Sequence, residues 1–215
     1  MDFLSQILRE NIAQDAQRLG CRVTDEQLNK LSEYVELLLR WNRRIRLVGA
    51  RDVGDVAGVH VADGLALASR LQGQLRQGIG RSLEKPSLVD VGTGAGLPGL
   101  LLATLLPELQ VTLCEIAEKR VAFLHQARRA LGGSFQIFHG DVQTLVEQGA
   151  KFDHAVSRAT FEPSAWLTLA CTLVTSRGTI WVMMTEKQHQ QWRHEGIEHR
   201  YQVQNKERVL IATHR

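Results

Sequence analysis

The residues best suited to do chemistry lie in one short stretch, Leu88–Gly99, which reads Leu-Val-Asp-Val-Gly-Thr-Gly-Ala-Gly-Leu-Pro-Gly. A short apolar strand comes first, with Asp90 near its end, and glycines follow at positions 92, 94, 96 and 99. An apolar helix is predicted from about 97 to 106, with Pro98 in its first turn. Glycine adopts positive φ and leaves room for a ligand beside the backbone at a helix N-terminus. The stretch therefore predicts a site for a nucleotide-type cofactor.

Two cofactors fit such a glycine turn. Gly94-Ala-Gly-Leu-Pro-Gly99 matches the dinucleotide pattern GxGxxG, which is weak evidence alone. Asp90 with Gly92, Gly94 and Gly96 spells DxGxGxG, which resembles the first motif of class I S-adenosylmethionine-dependent methyltransferases. An acid beside the turn suits the positive sulfonium and ammonium groups of S-adenosylmethionine, and it repels the pyrophosphate of a dinucleotide. Charge thus favours S-adenosylmethionine.

A second cofactor signal follows the predicted helix. Val111–Glu115 is an apolar and β-branched run that predicts a strand. Glu115 ends this run about 20 residues after the glycine turn, the spacing at which an acid accepts from ribose hydroxyls in a βαβ unit. The alternative is a solvated loop acid, and the glycine turn ahead of it favours the ribose role.

The composition is that of an ordinary globular protein: 215 residues, 44% hydrophobic and 23% charged, with a net charge of +3. Three widely spaced cysteines give neither a disulfide framework nor a metal-ligand spacing, so we expect a reducing, cytoplasmic setting and no metal. No apolar run reaches membrane-spanning length, and the polar N-terminus does not resemble a signal peptide. We therefore expect no membrane association.

Hydrophobic periodicity divides the chain into a helical part and an alternating part. Residues 1–75 predict a helical extension, with helices over about 3–19, 24–41 and 53–71. Residues 76–215 predict an α/β domain whose strands cover about 88–91, 111–115, 135–138, 152–157 and 178–184, followed by a helix over 186–196 and a hairpin of 201–203 and 208–213. Five β/α units imply a mostly parallel sheet with helices on both faces.

Several motifs along the chain form a specific set: Leu38–Asn42, His60 with Asp63, Asp90–Gly99, Lys119–Leu124, Ser157–Ala159 and Glu207–Leu210. Together they resemble the bacterial small-subunit ribosomal RNA methyltransferase G family, also called glucose-inhibited division protein B. The resemblance implies a Rossmann-like class I fold with a seven-stranded sheet and S-adenosylmethionine as methyl donor. It also implies N7 of a guanine in 16S ribosomal RNA as acceptor, in the naked RNA or the small subunit. We expect a monomer.

The resemblance also implies the site residues. The expected cofactor-binding residues are Gly92, Gly94, Leu97, Glu115, Asp141, Val142, Gln143 and Arg158. Asp141 departs from the family pattern and could accept from the adenine amino group, while Arg158 could hold either the cofactor carboxylate or guanine O6. The expected RNA-binding residues are Arg43, Arg44, Arg46, Arg51 and Lys187. The arginine cluster alone could equally be a solvated helix end, since cations favour helix C-termini.

Guanine N7 has a lone pair and no proton, so no general base is required and Arg158 is expected only to position a reactant. His60 and His139 are expected to be structural, hydrogen-bonded histidines. The chain has Met184-Thr185 where the family has Lys-Gly, and Lys187 could replace that lysine by position. This departure and the altered Arg46-Leu47-Val48 loop keep open a same-fold methyltransferase with another acceptor. A non-catalytic S-adenosylmethionine-binding relative is a further alternative, which the presence of Arg158 and the basic loop disfavours. A nicotinamide oxidoreductase is disfavoured, because no second nucleotide half is found.

Overall fold

The computed structural model describes residues 3–49, 56–76, 85–192 and 195–214. The helices are α1 Phe3–Arg18, α2 Asp25–Asn42, α3 Ala62–Arg76, α4 Gly99–Leu105, α5 Glu118–Leu131, α6 Val142–Glu147, α7 Pro163–Leu173 and α8 Glu186–Gln191. The strands are β1 Ser87–Val91, β2 Gln110–Glu115, β3 Gln136–His139, β4 Phe152–Arg158, β5 Val174–Thr185, β6 Ile197–Val203 and β7 Lys206–His214. A π-helical turn, Val56–Val61, leads directly into α3. Arg51, one of the predicted RNA-binding residues, lies outside the described residues.

The seven strands form one sheet in the order β3-β2-β1-β4-β5-β7-β6. β1 to β5 pair in parallel, whereas β7 runs antiparallel to both β5 and β6. The predicted seven-stranded, mostly parallel sheet and the C-terminal hairpin are confirmed. In a parallel sheet the carboxyl ends of the strands share one edge, which is where open α/β folds bind ligands. Glu115, Arg158 and the glycine turn after β1 all lie at that edge.

Successive residues of β1 point to opposite faces of the sheet, as strand geometry requires. Leu88 belongs to a hydrophobic cluster that includes side chains of α1 to α5, and Val89 and Val91 belong to a second cluster with α6 and α7. Helices therefore cover both faces. Asp90 lies on the first face and contacts the N-terminus of α4.

The N-terminal helices are packed on the glycine turn and on α4. α2 begins with a capping box, in which Thr24 Oγ1 accepts from Gln27 N and Gln27 Oε1 accepts from Thr24 N. The Gln27 amide also donates to the carbonyls of Thr104 and Leu105 at the end of α4. Further along α2, the buried Tyr34 hydroxyl donates to Ala95 O at 2.7 Å. The helical extension thus positions the glycine turn directly.

Several predicted boundaries differ from the structure. α4 begins at Gly99, because Gly96 and Leu97 donate to Thr93 O and form a turn first. β5 begins at Val174 and pairs with β4 across an irregularity in register, so it is longer at its start than predicted. α8 ends at Gln191 instead of position 196. Where one helix was predicted over 53–71, the described part is a π-helical turn followed by α3.

Candidate functional site

Two glycines of the turn, Gly92 and Gly94, have positive φ, and at Gly92 a side chain would also not fit. Gly92 has a φ of +67°, and a Cβ there would lie 2.6 Å from both Cγ2 and Oγ1 of Thr160. Gly94 has a φ of +59°, but a Cβ would meet no atom closer than 4.0 Å. The positive φ explains both glycines. A Cβ at Gly94 would meet open space although the residue itself is buried, whereas Gly92 is partly exposed and holds the turn against the loop that follows β4.

Asp90 fixes the turn from beneath. It is completely buried, and its Oδ2 accepts from Thr93 Oγ1 at 2.6 Å and from Gly99 N at 2.8 Å. Its Oδ1 is buried and has no hydrogen-bond partner among the described residues. Burial raises the pKa of Asp90 from 3.8 to about 6, against the lowering effects of its two donors and of Arg158. A carboxylate oxygen without a donor is an unused acceptor beside the turn.

Glu115 connects the glycine turn to the end of β2. Its side chain is 2% exposed, its Oε2 accepts from Gly94 N at 2.9 Å, and its Oε1 accepts from Ala117 N at 2.9 Å. Arg120 Nη1 lies 3.7 Å from Oε2. Glu115 is therefore an ordered carboxylate at the predicted position, not a solvated loop acid. Both of its oxygens already accept from backbone N–H groups.

The next strand brings the predicted adenine-side residues to the same edge. β3 pairs with β2 up to His139 beside Glu115, and Gly140 N donates to Glu115 O. Asp141 then caps α6, and its Oδ1 accepts from Gln143 N at 2.8 Å. Val142 is half-buried and Gln143 is exposed. Leu97, by contrast, has its side chain in the hydrophobic core, so only its backbone could face a ligand.

Arg158 ends β4 inside a polar cluster. Its Nη1 lies 2.6 Å from His60 Nδ1 and 3.4 Å from Asp63 Oδ2, and the Tyr201 hydroxyl donates to Asp63 Oδ1 at 2.9 Å. Burial and the charges of Arg158 and Arg208 lower the pKa of His60 to about 4. The imidazole is therefore neutral at physiological pH and can accept from Arg158, which agrees with the predicted structural role of His60.

This polar cluster lines a cavity of about 230 Å³ next to the glycine turn. Its other walls come from the loop after β4, the start of α7, the end of β5 and α8, and they include Ala159, Phe161, Trp166, Met183, Met184 and Gln188. Thr160 Oγ1, which lies in the same loop, donates to Gly92 O at 3.3 Å. The cavity and the glycine turn are thus neighbours across the carboxyl end of β4.

The segment after α2 that carries the basic residues passes close to the glycine turn at Leu47. Asn42 Oδ1 accepts from Leu47 N and Val48 N, and Leu47 O lies 4.0 Å from the Cβ position of Gly94. The exposed arginines of this region are Arg40, Arg43, Arg44 and Arg46. A groove of about 580 Å³ runs between three of them and includes Trp41, whose ring packs edge-on against Phe123 at 5.7 Å. Exposed cations and an aromatic side chain are features of surfaces that bind single-stranded nucleic acid.

A family model described as rRNA small subunit methyltransferase G matches residues 27–214. A protein of that name from Burkholderia pseudomallei is 36% identical over 182 residues, which cover 83% of this chain and 75% of the relative. A Burkholderia thailandensis protein of the same name matches with the same identity and coverage. The chain belongs to the rRNA small subunit methyltransferase G family.

Solved structures support the same fold. A hypothetical protein from Thermus thermophilus aligns with a TM-score of 0.54 and 18% identity, over 71% of this chain and 84% of the other. A Thermus thermophilus 16S rRNA methyltransferase, solved with AdoMet and guanosine, aligns with a TM-score of 0.53 and 21% identity, over 78% of this chain and 44% of the other. The class I methyltransferase fold, with an N-terminal helical extension, is therefore confirmed.

In this chain, the lysine of the family pattern has no direct replacement among the described residues that line the cavity. Met184 lines the cavity and is buried, whereas Lys187 is exposed on α8 and is not among the lining residues. The cation that does line the cavity near Met184 is Arg208, since β7 pairs Arg208 with Thr185.

Sequence reasoning did not identify Tyr201 and Arg208 as site residues. Tyr201 contacts Asp63 across a separation of 138 residues, and no local pattern indicates that pairing. Arg208 lies in the family motif Glu207–Leu210, which was the one available signal.

Among the described residues, no group of three or more His, Cys, Asp or Glu side chains could hold a metal ion. No described helix has the length and hydrophobicity needed to cross a membrane.

Proposed function

We propose that this protein is an S-adenosylmethionine-dependent methyltransferase that modifies N7 of a guanine in 16S ribosomal RNA. Family membership supports the reaction class and the ribosomal RNA substrate. The observation that carries the proposal is the position of the cavity beside the glycine turn, with Thr160 donating to Gly92 O between them. A donor bound at the turn and a base bound in the cavity would then meet at the end of β4.

The residues around the turn fit S-adenosylmethionine. Gly92 is partly exposed and brings backbone to the surface of the turn, and the buried carboxyl groups of Asp90 and Glu115 beside it suit the positive charge of the cofactor. Glu115 would accept from the ribose hydroxyls, which requires its oxygens to release or share their backbone donors. The remaining contacts would come from the backbone of Gly92 and Leu97, and from Asp141, Val142 and Gln143 along the adenine. When bound, S-adenosylmethionine supplies a methyl group on a positively charged sulfur.

The acceptor side needs positioning rather than proton transfer. Guanine N7 carries an in-plane lone pair and no proton, so no side chain has to act as a base, and no metal is needed to activate a nucleophile. The base must leave its stack to enter the cavity. Arg158 would orient the reactants, held in place by the neutral ring of His60. Alignment of nucleophile, methyl group and leaving sulfur would provide most of the rate enhancement.

The RNA would lie over the basic surface after α2. Arg43, Arg44 and Arg46 are exposed in the segment that passes the glycine turn at Leu47. Lys187 is exposed on α8, next to the cavity-lining Gln188. Arg51 belongs to the same proposal from its sequence position. We infer that the enzyme works as a cytoplasmic monomer, with residues 1–75 as an extension packed on the methyltransferase domain of residues 76–215.

One observation favours a second candidate, a methyltransferase of this family with a different acceptor. Met184 stands in the cavity wall where the family pattern has lysine.

The decisive experiment is methyl transfer from labelled S-adenosylmethionine to unmodified small-subunit RNA and to small subunits, followed by mapping of the product. Label at one guanine N7 supports the proposal. Cofactor binding without transfer to any ribosomal substrate contradicts it and favours another acceptor or a non-catalytic role.

A further inference from the structure

Asp63 is a buried carboxylate in the wall of the cavity. Its side chain is 9% exposed, and its two oxygens face the Tyr201 hydroxyl at 2.9 Å and Arg158 Nη1 at 3.4 Å. Asp63 is the one acidic side chain among the described residues that line this cavity. A carboxylate is seldom placed in a cavity wall, because burial penalises the charged form unless partners compensate.

The two arginines around Asp63 are not fully hydrogen-bonded. The Nε atoms of Arg158 and Arg208 are both buried and have no hydrogen-bond partner among the described residues. Both arginines line the cavity. Burial raises the pKa of Asp63 above its ordinary value, and the charges of the two arginines act against that rise. The cluster therefore leaves these two N–H groups unsatisfied behind the cavity wall, while both guanidinium groups lie in the lining.

A guanine offers complementary groups to these side chains. For methyl transfer, N7 must point at the donor and cannot also accept a hydrogen bond from the protein. The adjacent O6 accepts, and the opposite Watson–Crick edge carries two donors, N1–H and the 2-amino group. The cavity combines arginine donors with a single carboxylate acceptor, which is the pattern needed to hold guanine by every edge except N7.

We propose that Asp63, oriented by Tyr201, accepts from N1–H and the 2-amino group of the acceptor guanine and so selects guanine and stabilises its methylated form. This inference rests on the proposed function. As the N7 lone pair forms the new N–C bond, the carbon–sulfur bond breaks with its electron pair left on sulfur. The guanine ring gains one positive charge and keeps its N1 proton. The Asp63 carboxylate, hydrogen-bonded to that ring, interacts more strongly with the transition state than with the neutral base.

The test uses small subunits reconstituted with 16S RNA in which the mapped target guanosine is either retained or replaced by inosine, which lacks only the 2-amino group. Single-turnover methyl transfer is measured for the wild type and for Asp63→Asn and Tyr201→Phe. Asp153→Asn is the matched control, because Asp153 accepts from Ser87 N and Oγ at the opposite end of β4. S-adenosylmethionine affinity and thermal unfolding are measured for each protein.

The wild type is expected to methylate guanosine on the order of 10–100-fold faster than inosine, the range that a hydrogen bond to a charged group supports. In Asp63→Asn this ratio should fall to within about threefold of one, with S-adenosylmethionine affinity retained, and in Tyr201→Phe it should be intermediate. Asp153→Asn should keep the wild-type ratio.

Equal wild-type rates on guanosine and inosine overturn the role of Asp63 while leaving the proposed function intact, and this comparison requires no variant to fold. A wild-type ratio in Asp63→Asn also overturns it, because a merely structural aspartate would slow both substrates equally. Absence of any N7 methylation by the wild type removes the proposed function itself and the inference with it.

Discussion

Asp90 should make the stability of the ligand-free protein fall as the pH rises from about 4 to about 7. Burial raises its pKa from 3.8 to about 6, so in this window the folded state holds a proton that the unfolded chain releases. The difference of about two pKa units corresponds to about 3 kcal/mol, at about 1.4 kcal/mol per unit. This stabilisation is present below the unfolded pKa and is lost as the pH rises through the folded one.

The perturbation is Asp90→Asn, which keeps the shape of the side chain and removes its titration. Urea unfolding of both proteins at pH 4, 5, 6 and 7.5, without cofactor, gives two curves of unfolding free energy against pH. The unfolding free energy of the variant relative to the wild type should rise by about 2–2.5 kcal/mol between pH 4 and 7.5, because the unfolded carboxyl is already partly ionised at pH 4. Taking the difference removes contributions common to both proteins, such as those of His60 and His154, whose pKa values burial lowers to about 4.

A difference that stays constant across this pH range would refute the reasoning, because it would mean that Asp90 ionises equally easily in the folded and unfolded states. A difference that grows toward low pH would refute it more strongly. That result would require the donors Thr93 and Gly99 to outweigh burial and to lower the folded pKa.

Three further changes test other parts of the site. Gly92→Ala should lower the unfolding free energy by about 1–3 kcal/mol and abolish S-adenosylmethionine binding, because the new Cβ meets Thr160 at 2.6 Å. Gly94→Ala is the control, since Gly94 has a similar φ without that contact. Equal stability losses of the two variants in thermal unfolding would contradict the explanation. Glu115→Gln should weaken S-adenosylmethionine binding on the order of 10–100-fold in calorimetry, and unchanged affinity would exclude the ribose role. Arg44→Ala should reduce the slope of log affinity against log salt for ribosomal RNA by about 1 without affecting S-adenosylmethionine, whereas an unchanged slope would place Arg44 outside the RNA interface.

The cofactor half of the site could be predicted because its signals are local. The glycine turn and Glu115 belong to consecutive elements of one βαβ unit, so their spacing along the chain fixes their spacing in the fold. Even there, the pattern did not reveal how Asp90 is hydrogen-bonded. One of its oxygens accepts from Gly99 N, and the other has no donor among the described residues. That arrangement depends on α4 beginning at Gly99, which the motif alone does not give.

The cavity could not be predicted in the same way, because distant parts of the chain build it. Arg158 meets His60 across 98 residues, and Asp63 meets Tyr201 across 138. Hydrophobic periodicity predicted the C-terminal hairpin, but not that β7 would enter the sheet beside β5 and bring Arg208 to the cavity. Side chains on a hairpin become site residues only when the strand order is known.

The positions of the acidic side chains relate the two halves of the site to one reaction. Asp90 and Glu115 lie at the glycine turn, and Asp63 lies in the cavity wall, each at least nine-tenths buried. Methyl transfer from a sulfonium to guanine N7 neither creates nor removes charge; it moves one positive charge from sulfur to the base. Carboxylates at the starting position and at the end position can stabilise that charge along its whole path, and fixed groups need no reorganisation as it moves. A site for a dinucleotide would instead set these same carboxylates against a pyrophosphate, so their placement favours a cationic donor and a product that is itself a cation.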